Sequence, residues 1–172
     1  MFSYPTYHPE FYTATVLEWK RLLQQEKYKQ VIVKSLQFLV EQERANINAF
    51  VIMDNHLHLI WQAKAGYKPF DLQHSFLKYT AQQIKFDLQI HYPKVLTHFK
   101  VNAKDREYQF WERNSLGIEL YNEAVFLQKL FYVHSNPVSA GLCKLPEEYK
   151  YSSAKFYDTG VDDFGFLEHY RG

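Results

Sequence analysis

The chain has 172 residues, of which 47% are hydrophobic, and this length suffices to bury one ordinary core but is too short for two independent domains. Its 20 Lys and Arg residues nearly balance its 19 Asp and Glu residues, so the net charge of +1 excludes a strong overall basic field. The single cysteine, Cys143, excludes an internal disulfide framework, and no run of about 18 apolar residues is available to span a bilayer.

These properties predict one domain over residues 1–172, with residues 143–172 forming a C-terminal strap. The first residues lack the basic start and apolar run of a signal peptide, which together with the lone cysteine predicts a cytoplasmic protein. Aromatic residues make up 18% of the chain. Part of that share must lie in the core, and the rest offers flat faces on which unstacked bases could lie.

The first half of the chain contains two strand patterns separated by a helical one. Glu10–Trp19 is rich in β-branched and aromatic residues and predicts a strand, whereas apolar residues at three-and-four spacing predict an amphipathic helix over Lys27–Arg44. The segments Asn46–Met53 and His56–Gln62 flank Asp54-Asn55, a pair suited to a tight turn. They therefore predict a β-hairpin.

The second half continues the alternation of helices and strands. Helical spacing predicts a second long helix over Phe70–Ile90, and Tyr92–Arg106, which has no clear period, is interpreted as a loop or short insertion. A strand is predicted around Tyr108–Leu120. The order strand, helix, hairpin, helix, strand is typical of a ferredoxin-like split βαβ sheet, so we predict an α+β fold with an antiparallel sheet and helices on one face.

A third helix is predicted from Glu123 to Asn136, because Asn122 is a good N-cap and Pro137 disfavours further regular helix. Polar residues recur along it at spacings of four, namely Gln128, Tyr132 and Asn136. Its apolar residues are expected to face the sheet, namely Leu127, Leu130 and Phe131. The phenol of Tyr132 would then lie one helical turn from the amide of Asn136, a neutral oxygen ligand.

The hairpin supplies a pair of imidazoles, because His56 and His58 are two residues apart on a predicted strand. Alternate side chains of a strand point to the same face, roughly 6 to 7 Å apart, so both rings could reach one metal ion. Leu57 and Leu59 would then point into the core on the other face.

Two segments resemble the signatures of a known family. Asn55-His56-Leu57-His58-Leu59 resembles the histidine-hydrophobic-histidine (HUH) motif of the single-tyrosine transposases. Tyr132-Val133-His134-Ser135-Asn136-Pro137-Val138 is similar to the second signature of their REP-associated tyrosine transposase (RAYT) branch, in which a tyrosine precedes Asn-Pro-Val by four residues. Phe110-Trp111-Glu112-Arg113 and Tyr149-Lys150-Tyr151-Ser152-Ser153 resemble further segments of that branch. The chain departs from the pattern at Asp54, where proline is common, and at Ser135, where a bulkier apolar residue is common.

The resemblance implies a metal-dependent transposase that cuts and rejoins single-stranded DNA, often beside a hairpin, through a phosphotyrosine intermediate. On it, Tyr132 is the nucleophile, His56 and His58 are metal ligands, and Asn136 is the third protein ligand. The implied metal is Mg²⁺ or Mn²⁺, and two imidazoles with an amide favour Mn²⁺ by ligand chemistry alone. The sequence leaves open whether the protein is a monomer or a homodimer.

Basic residues of the second helix and of the segment after it are candidate contacts to the DNA backbone. They are Lys78, Lys85, Lys100, Lys104, Arg106 and Arg113. Ordinary solvated surface charges are the alternative interpretation for each of them.

Other functions fit parts of the pattern. A histidine-triad nucleotide hydrolase also uses alternating strand histidines, but it requires a third histidine two residues after His58, where this chain has Ile60. A DNA-binding module that kept the fold and lost cutting would act by occupying hairpin sites. Without the resemblance, the two histidines could simply be bonded to backbone or water, and Tyr132 could be a half-buried helix residue.

Overall fold

The computed structural model describes residues 7–113 and 115–172. The first six residues of the predicted domain and Asn114 of the predicted last strand lie outside the described residues. Within the described residues, no helix combines the length and the apolar character needed to cross a membrane.

A four-stranded antiparallel sheet forms the centre of the molecule, in the order β2-β3-β1-β4. Its strands are β1 (Glu10–Thr15), β2 (Ala45–Ile52), β3 (His56–Ala63) and β4 (Leu116–Glu119). The helices are α1 (Glu26–Glu41), α2 (Pro69–His91), α3 (Pro93–Thr97), α4 (Glu123–Ser139) and α5 (Ala154–Thr159). The predicted α+β fold with a split βαβ antiparallel sheet is confirmed, and its two long helices, α1 and α2, pack on one face.

Alternation along the strands produces two apolar layers. On one face, Tyr12, Leu59 and Trp61 pack with residues of α1 and α2. On the other face, Phe11 and Ile60 pack with residues of α4. Helix α4 therefore lies against the face of β3 opposite the two long helices, and this is the face to which His56 and His58 point.

The predicted first strand is too long. Strand β1 ends at Thr15, and the chain then forms a 3-10 turn over Leu17–Trp19. The backbone leaves the sheet here because Val16 bridges to Trp111 and the Leu17 N–H donates to the Phe110 carbonyl at 2.8 Å. These long-range contacts outweigh the β propensity of the local sequence.

The predicted strand over Tyr108–Leu120 is also mostly wrong, because only Leu116–Glu119 pairs with β1. Phe110 and Trp111, whose apolar character suggested the strand, are buried in an irregular segment. The indole N–H of Trp111 donates to Thr80 at 3.1 Å, which holds this segment against α2. Likewise, the predicted loop Tyr92–Arg106 contains the short helix α3.

Helix α4 begins after Asn122, as predicted, and the Asn122 side chain accepts from the Val125 N–H at 2.9 Å. It runs past Pro137 to Ser139, since a proline close to a helix end removes only one hydrogen bond. The apolar face is wrongly predicted, because Leu127 and Phe131 are exposed. The residues of α4 that are buried are Phe126, Leu130, Val133 and Pro137. Their spacing of four, three and four follows the helical repeat more closely than the predicted set.

The C-terminal residues 143–172 pack along β2, an edge strand of the sheet. Ser152 bridges to Val51 and Leu167 bridges to Ile47, so isolated backbone pairs cover part of this edge. His134 of α4 lies 2.7 Å from the Ser153 hydroxyl through Nε2, and burial lowers the pKa of His134 to about 4. This histidine joins α4 to the C-terminal segment.

A buried ion pair fixes the turn between β2 and β3. The Lys29 ammonium, which is buried, lies 3.0 Å from Asp54 and also donates to the Leu23 carbonyl at 2.7 Å. Arg21 adds a second contact to Asp54 at 2.7 Å. Burial raises the pKa of Asp54, but the hydrogen bonds from Arg21 and Lys29 outweigh it and hold the pKa below its usual value. The turn that leads into His56 is thereby anchored to α1.

We expect Asp54→Ala to lower the free energy of unfolding by about 2 to 4 kcal/mol, because it leaves the Lys29 charge buried without a carboxylate. Urea titration monitored by circular dichroism measures this loss. Asp105→Ala is the control, since Asp105 pairs with Arg106 at the exposed surface and its removal should leave stability unchanged. Equal stability of the two variants would contradict the anchoring role.

Candidate metal and nucleophile site

The two histidines of β3 lie together on the α4 face of the sheet. Their ring centroids are 4.9 Å apart at an interplanar angle of 72°. His58 is 5% exposed, whereas His56, nearer the start of the strand, is half-buried. The alternation expected from the sequence therefore brings both imidazoles to one place.

His58 has one nitrogen bound and one without a partner. Its Nδ1 lies 2.8 Å from the Thr13 hydroxyl, and its buried Nε2 has no hydrogen-bond partner among the described residues. Burial lowers the pKa of His58 to about 3, with smaller contributions from His56 and Lys129. The ring is therefore neutral at physiological pH, and Thr13 can hold it in the tautomer that leaves the Nε2 lone pair free.

His56 is arranged in a similar way. Its Nδ1 lies 2.7 Å from the Asn55 side-chain oxygen, so Nε2 is the nitrogen that remains for a second partner. Burial lowers the pKa of His56, and the neighbouring Asn136 side chain raises it by a smaller amount. The amide of Asn136 is thus beside the histidine pair.

Tyr132 reaches the same place from α4. Its ring centroid is 5.2 Å from that of His58 and 6.0 Å from that of Phe11, edge-on in both cases. Phe11 in turn stacks on His58 at 5.3 Å. The Tyr132 side chain is 49% exposed, so its phenol is open to a substrate instead of being sealed in the core. The structure therefore gathers all four residues singled out for chemistry: His56, His58, Tyr132 and Asn136.

The donor set fits a divalent ion. The described residues contain no group of three or more His, Cys, Asp or Glu that could hold a metal. The Asn136 amide is a further protein donor beside the two imidazoles. The unpartnered, buried Nε2 of His58 is what a metal ligand requires before the ion binds. Two neutral imidazoles and an amide leave room for water and phosphate oxygens in the coordination shell.

Lys129 is a residue of this site that the sequence analysis missed. Its ammonium lies 5.9 Å from the Tyr132 ring centroid and 4.9 Å from that of Phe11. Lys129 precedes Tyr132 by three residues on α4, so helical spacing could have revealed it. A cation at this position favours an anion next to the Tyr132 phenol.

Four of the six predicted DNA-contacting cations line one surface groove of about 640 Å³ between α2 and residues 106–113. This basic groove contains Lys78, Lys85, Arg106 and Arg113. Lys100 and Lys104 do not line it, and Lys100 lies 4.0 Å from Glu107. Asp105 contacts both arginines, at 2.6 and 3.6 Å, so the two lysines are the stronger sources of positive potential.

Solved structures of similar fold include a REP-associated tyrosine transposase bound to a REP hairpin. The two chains are 17% identical, with a TM-score of 0.66 over 98% of this chain and 90% of that one. A candidate transposase from Deinococcus radiodurans is 13% identical, with a TM-score of 0.47 over 77% of this chain and 94% of that one. No protein-family model and no curated protein matches the chain. The first of these structures shows that the fold of this chain is that of a known tyrosine transposase, as the resemblance implied.

We expect Thr13→Val to weaken Mn²⁺ binding about 10- to 100-fold, because the hydroxyl that orients His58 is lost while the shape of the side chain is kept. Electron paramagnetic resonance of free Mn²⁺ measures the affinity. Thr15→Val is the matched control, since Thr15 lies opposite His56 on the same strand but Nδ1 of His56 contacts Asn55 instead. A loss of the same size in both variants would rule out a specific role for Thr13.

Proposed function

We propose that this chain is a tyrosine transposase of the HUH family, in its REP-associated branch, and that it cuts and rejoins single-stranded DNA. The observation that carries the proposal is the convergence of Tyr132 from α4 with His56 and His58 from β3, beside Asn136. The sequence signatures and the similarity of fold to a REP-associated transposase support the same assignment. Both are independent of how the four side chains are arranged. No such cluster would be needed by a protein that only binds DNA.

The proposed reaction begins with attack by the Tyr132 phenol oxygen on a phosphorus atom of the DNA backbone. The new O–P bond replaces the bond from phosphorus to the 3′ oxygen, which departs with its electron pair and is protonated to a 3′-OH. The phenol passes its proton to solvent as it attacks, and a cation close to the ring favours the negative charge that develops on the phenol oxygen. Lys129 supplies one such charge from within the chain.

His56, His58 and Asn136 are the residues that would hold the divalent ion, Mg²⁺ or Mn²⁺. A bound divalent ion neutralises and polarises the phosphate, which lowers the cost of bringing an oxygen nucleophile to a negatively charged group. The two imidazoles contribute by being neutral at physiological pH and by facing the same side of β3. Thr13 and Asn55 hold their orientations.

Rejoining follows from the covalent intermediate. A phosphotyrosine at the 5′ side of the break retains the energy of the broken phosphodiester, so a different 3′-OH can displace Tyr132 and restore the bond. Strand transfer therefore needs no ATP. The exposure of the Tyr132 side chain allows both the first strand and the incoming one to reach the phosphorus.

Single-stranded DNA with an adjoining hairpin is the proposed substrate. A transposase of the same fold has been seen bound to a REP hairpin, which makes a hairpin the first DNA structure to test. The basic groove is the proposed path of the DNA backbone, because Lys78 and Lys85 can contact phosphates there and Tyr108 offers an aromatic face beside Lys85.

We expect wild-type protein with Mn²⁺ to form a covalent adduct with labelled single-stranded DNA that carries a hairpin, and Tyr132→Phe to form none. Denaturing gel electrophoresis followed by mass spectrometry of the adduct identifies the residue. Removal of the metal by EDTA should also abolish the adduct.

Tyr79→Phe is the matched control, because Tyr79 is 48% exposed on α2, close to the 49% of Tyr132, and lies outside the site. Binding of the hairpin without any adduct would identify a non-cutting DNA-binding module. An adduct that survives Tyr132→Phe would assign the nucleophile to another residue.

We expect Lys78→Ala and Lys85→Ala each to weaken DNA binding by a similar factor on every sequence, and each to reduce the slope of log K against log salt by about 1. Lys100 and Lys104 lie outside the groove, so Lys100→Ala and Lys104→Ala serve as controls. Fluorescence anisotropy at several salt concentrations measures the slopes. Equal effects of all four substitutions would contradict the groove as the backbone path.

A further inference from the structure

Trp19 stands out among the three tryptophans of the chain. Its side chain is 59% exposed, whereas Trp61 and Trp111 are 1% and 6% exposed. Burial of its ring therefore contributes little to the core. A large aromatic face left in water beside a candidate active site needs a different explanation from packing.

The backbone at Trp19 is strained. Glu18 and Trp19 have φ angles of 55° and 56°, so two consecutive residues with side chains adopt the left-handed conformation that favours glycine. Such strain persists only where surrounding contacts impose it, and it concentrates at functional sites. Since the indole is mostly exposed, burial of the side chain does not account for the strain.

Hydrogen bonds to two other segments hold the turn in place. The Val16 N–H donates to the Asn55 carbonyl at 2.9 Å, next to His56. On the other side, the Glu18 N–H donates to the Glu112 carboxylate at 2.7 Å. The turn is thus fixed between the histidine hairpin and the segment that lines the basic groove.

This position places the indole between the groove and the histidine pair. Its ring centroid is 5.8 Å from that of His56, edge-on. Glu112, which accepts the hydrogen bond from the Glu18 N–H, lines the basic groove together with Arg113. A DNA strand that leaves the groove past Glu112 and presents a phosphate to the histidines would run beside Trp19.

We propose that Trp19 is a stacking platform for an unpaired base of the DNA strand next to the phosphate that is cut. Stacking on a flat indole holds a base without reading its identity, because every base has a π face. The stacked base would fix how far the strand advances, and so which phosphorus meets Tyr132. The inference rests on the proposed function for its substrate class, and it adds a positioning residue that neither sequence signature contains.

The fluorescence of Trp19 tests this contact directly, because stacked bases quench an indole. We expect a ten-nucleotide single strand to quench the emission of Tyr132→Phe protein in Mg²⁺, and a fully abasic strand of the same length and charge to leave it unchanged. Trp19→Phe supplies the background emission of the two buried tryptophans.

Affinity supplies the second readout. In the same Tyr132→Phe background, we expect Trp19→Ala to raise the Kd for the base-bearing strand roughly 5- to 100-fold, and Trp19→Phe to change it far less. The Kd for the abasic strand should be the same in all three proteins. Phe70→Ala is the matched control, because Phe70 is 73% exposed at the start of α2 and should have no effect.

Equal quenching by both strands, no quenching by either, or unchanged affinity of Trp19→Ala would each overturn the platform. The proposed chemistry fails separately, since absence of a Tyr132 adduct in wild-type protein leaves the quenching and affinity results intact. Loss of affinity in Phe70→Ala equal to that in Trp19→Ala would show a general loss of binding and would also overturn the assignment.

Discussion

The contact between α4 and β3 is the interaction on which the site depends. Leu130 and Val133 of α4 pack with Phe11 and Ile60 of the sheet, and burial of each such side chain stabilises the structure by about 1.5 to 3 kcal/mol. These contacts fix the rotation of α4 about its axis and its position along the sheet. Tyr132, which follows Leu130 by two residues and precedes Val133, therefore lies beside His58. A rotation of the helix by one residue would move its phenol away from them.

The environment created by this contact suits the two imidazoles to metal binding. Burial between β3 and α4 disfavours their charged forms, so their lone pairs stay available, while Thr13 and Asn55 occupy one nitrogen of each ring. The same layer leaves the phenol half exposed. The site thus combines a buried part, where the imidazoles are oriented, with a solvent-exposed part at Tyr132, which a DNA strand can reach.

Much of this arrangement follows from local periodicity. The turn signal Asp54-Asn55 located the hairpin. Strand alternation placed His56 and His58 on one face, and the four-residue spacing placed Tyr132 and Asn136 on one stripe. Periodicity failed where tertiary contacts decide, as for the exposed Phe131 and for Trp111, which is buried in an irregular segment. Trp19 was missed because its position depends on hydrogen bonds to residues far away in the chain. The chemical roles themselves came from the family resemblance, since spacing alone does not distinguish a nucleophile from any other tyrosine.

A crystal structure of the Tyr132→Phe protein with hairpin DNA and Mn²⁺ tests the central claim most directly, because anomalous scattering locates the ion without assumptions about its ligands. The account predicts one strong peak bounded by the Nε2 atoms of His56 and His58 and the Asn136 side chain, with a backbone phosphate beside residue 132. An ion bound elsewhere, or DNA with no backbone phosphate near His56 and His58, would contradict it.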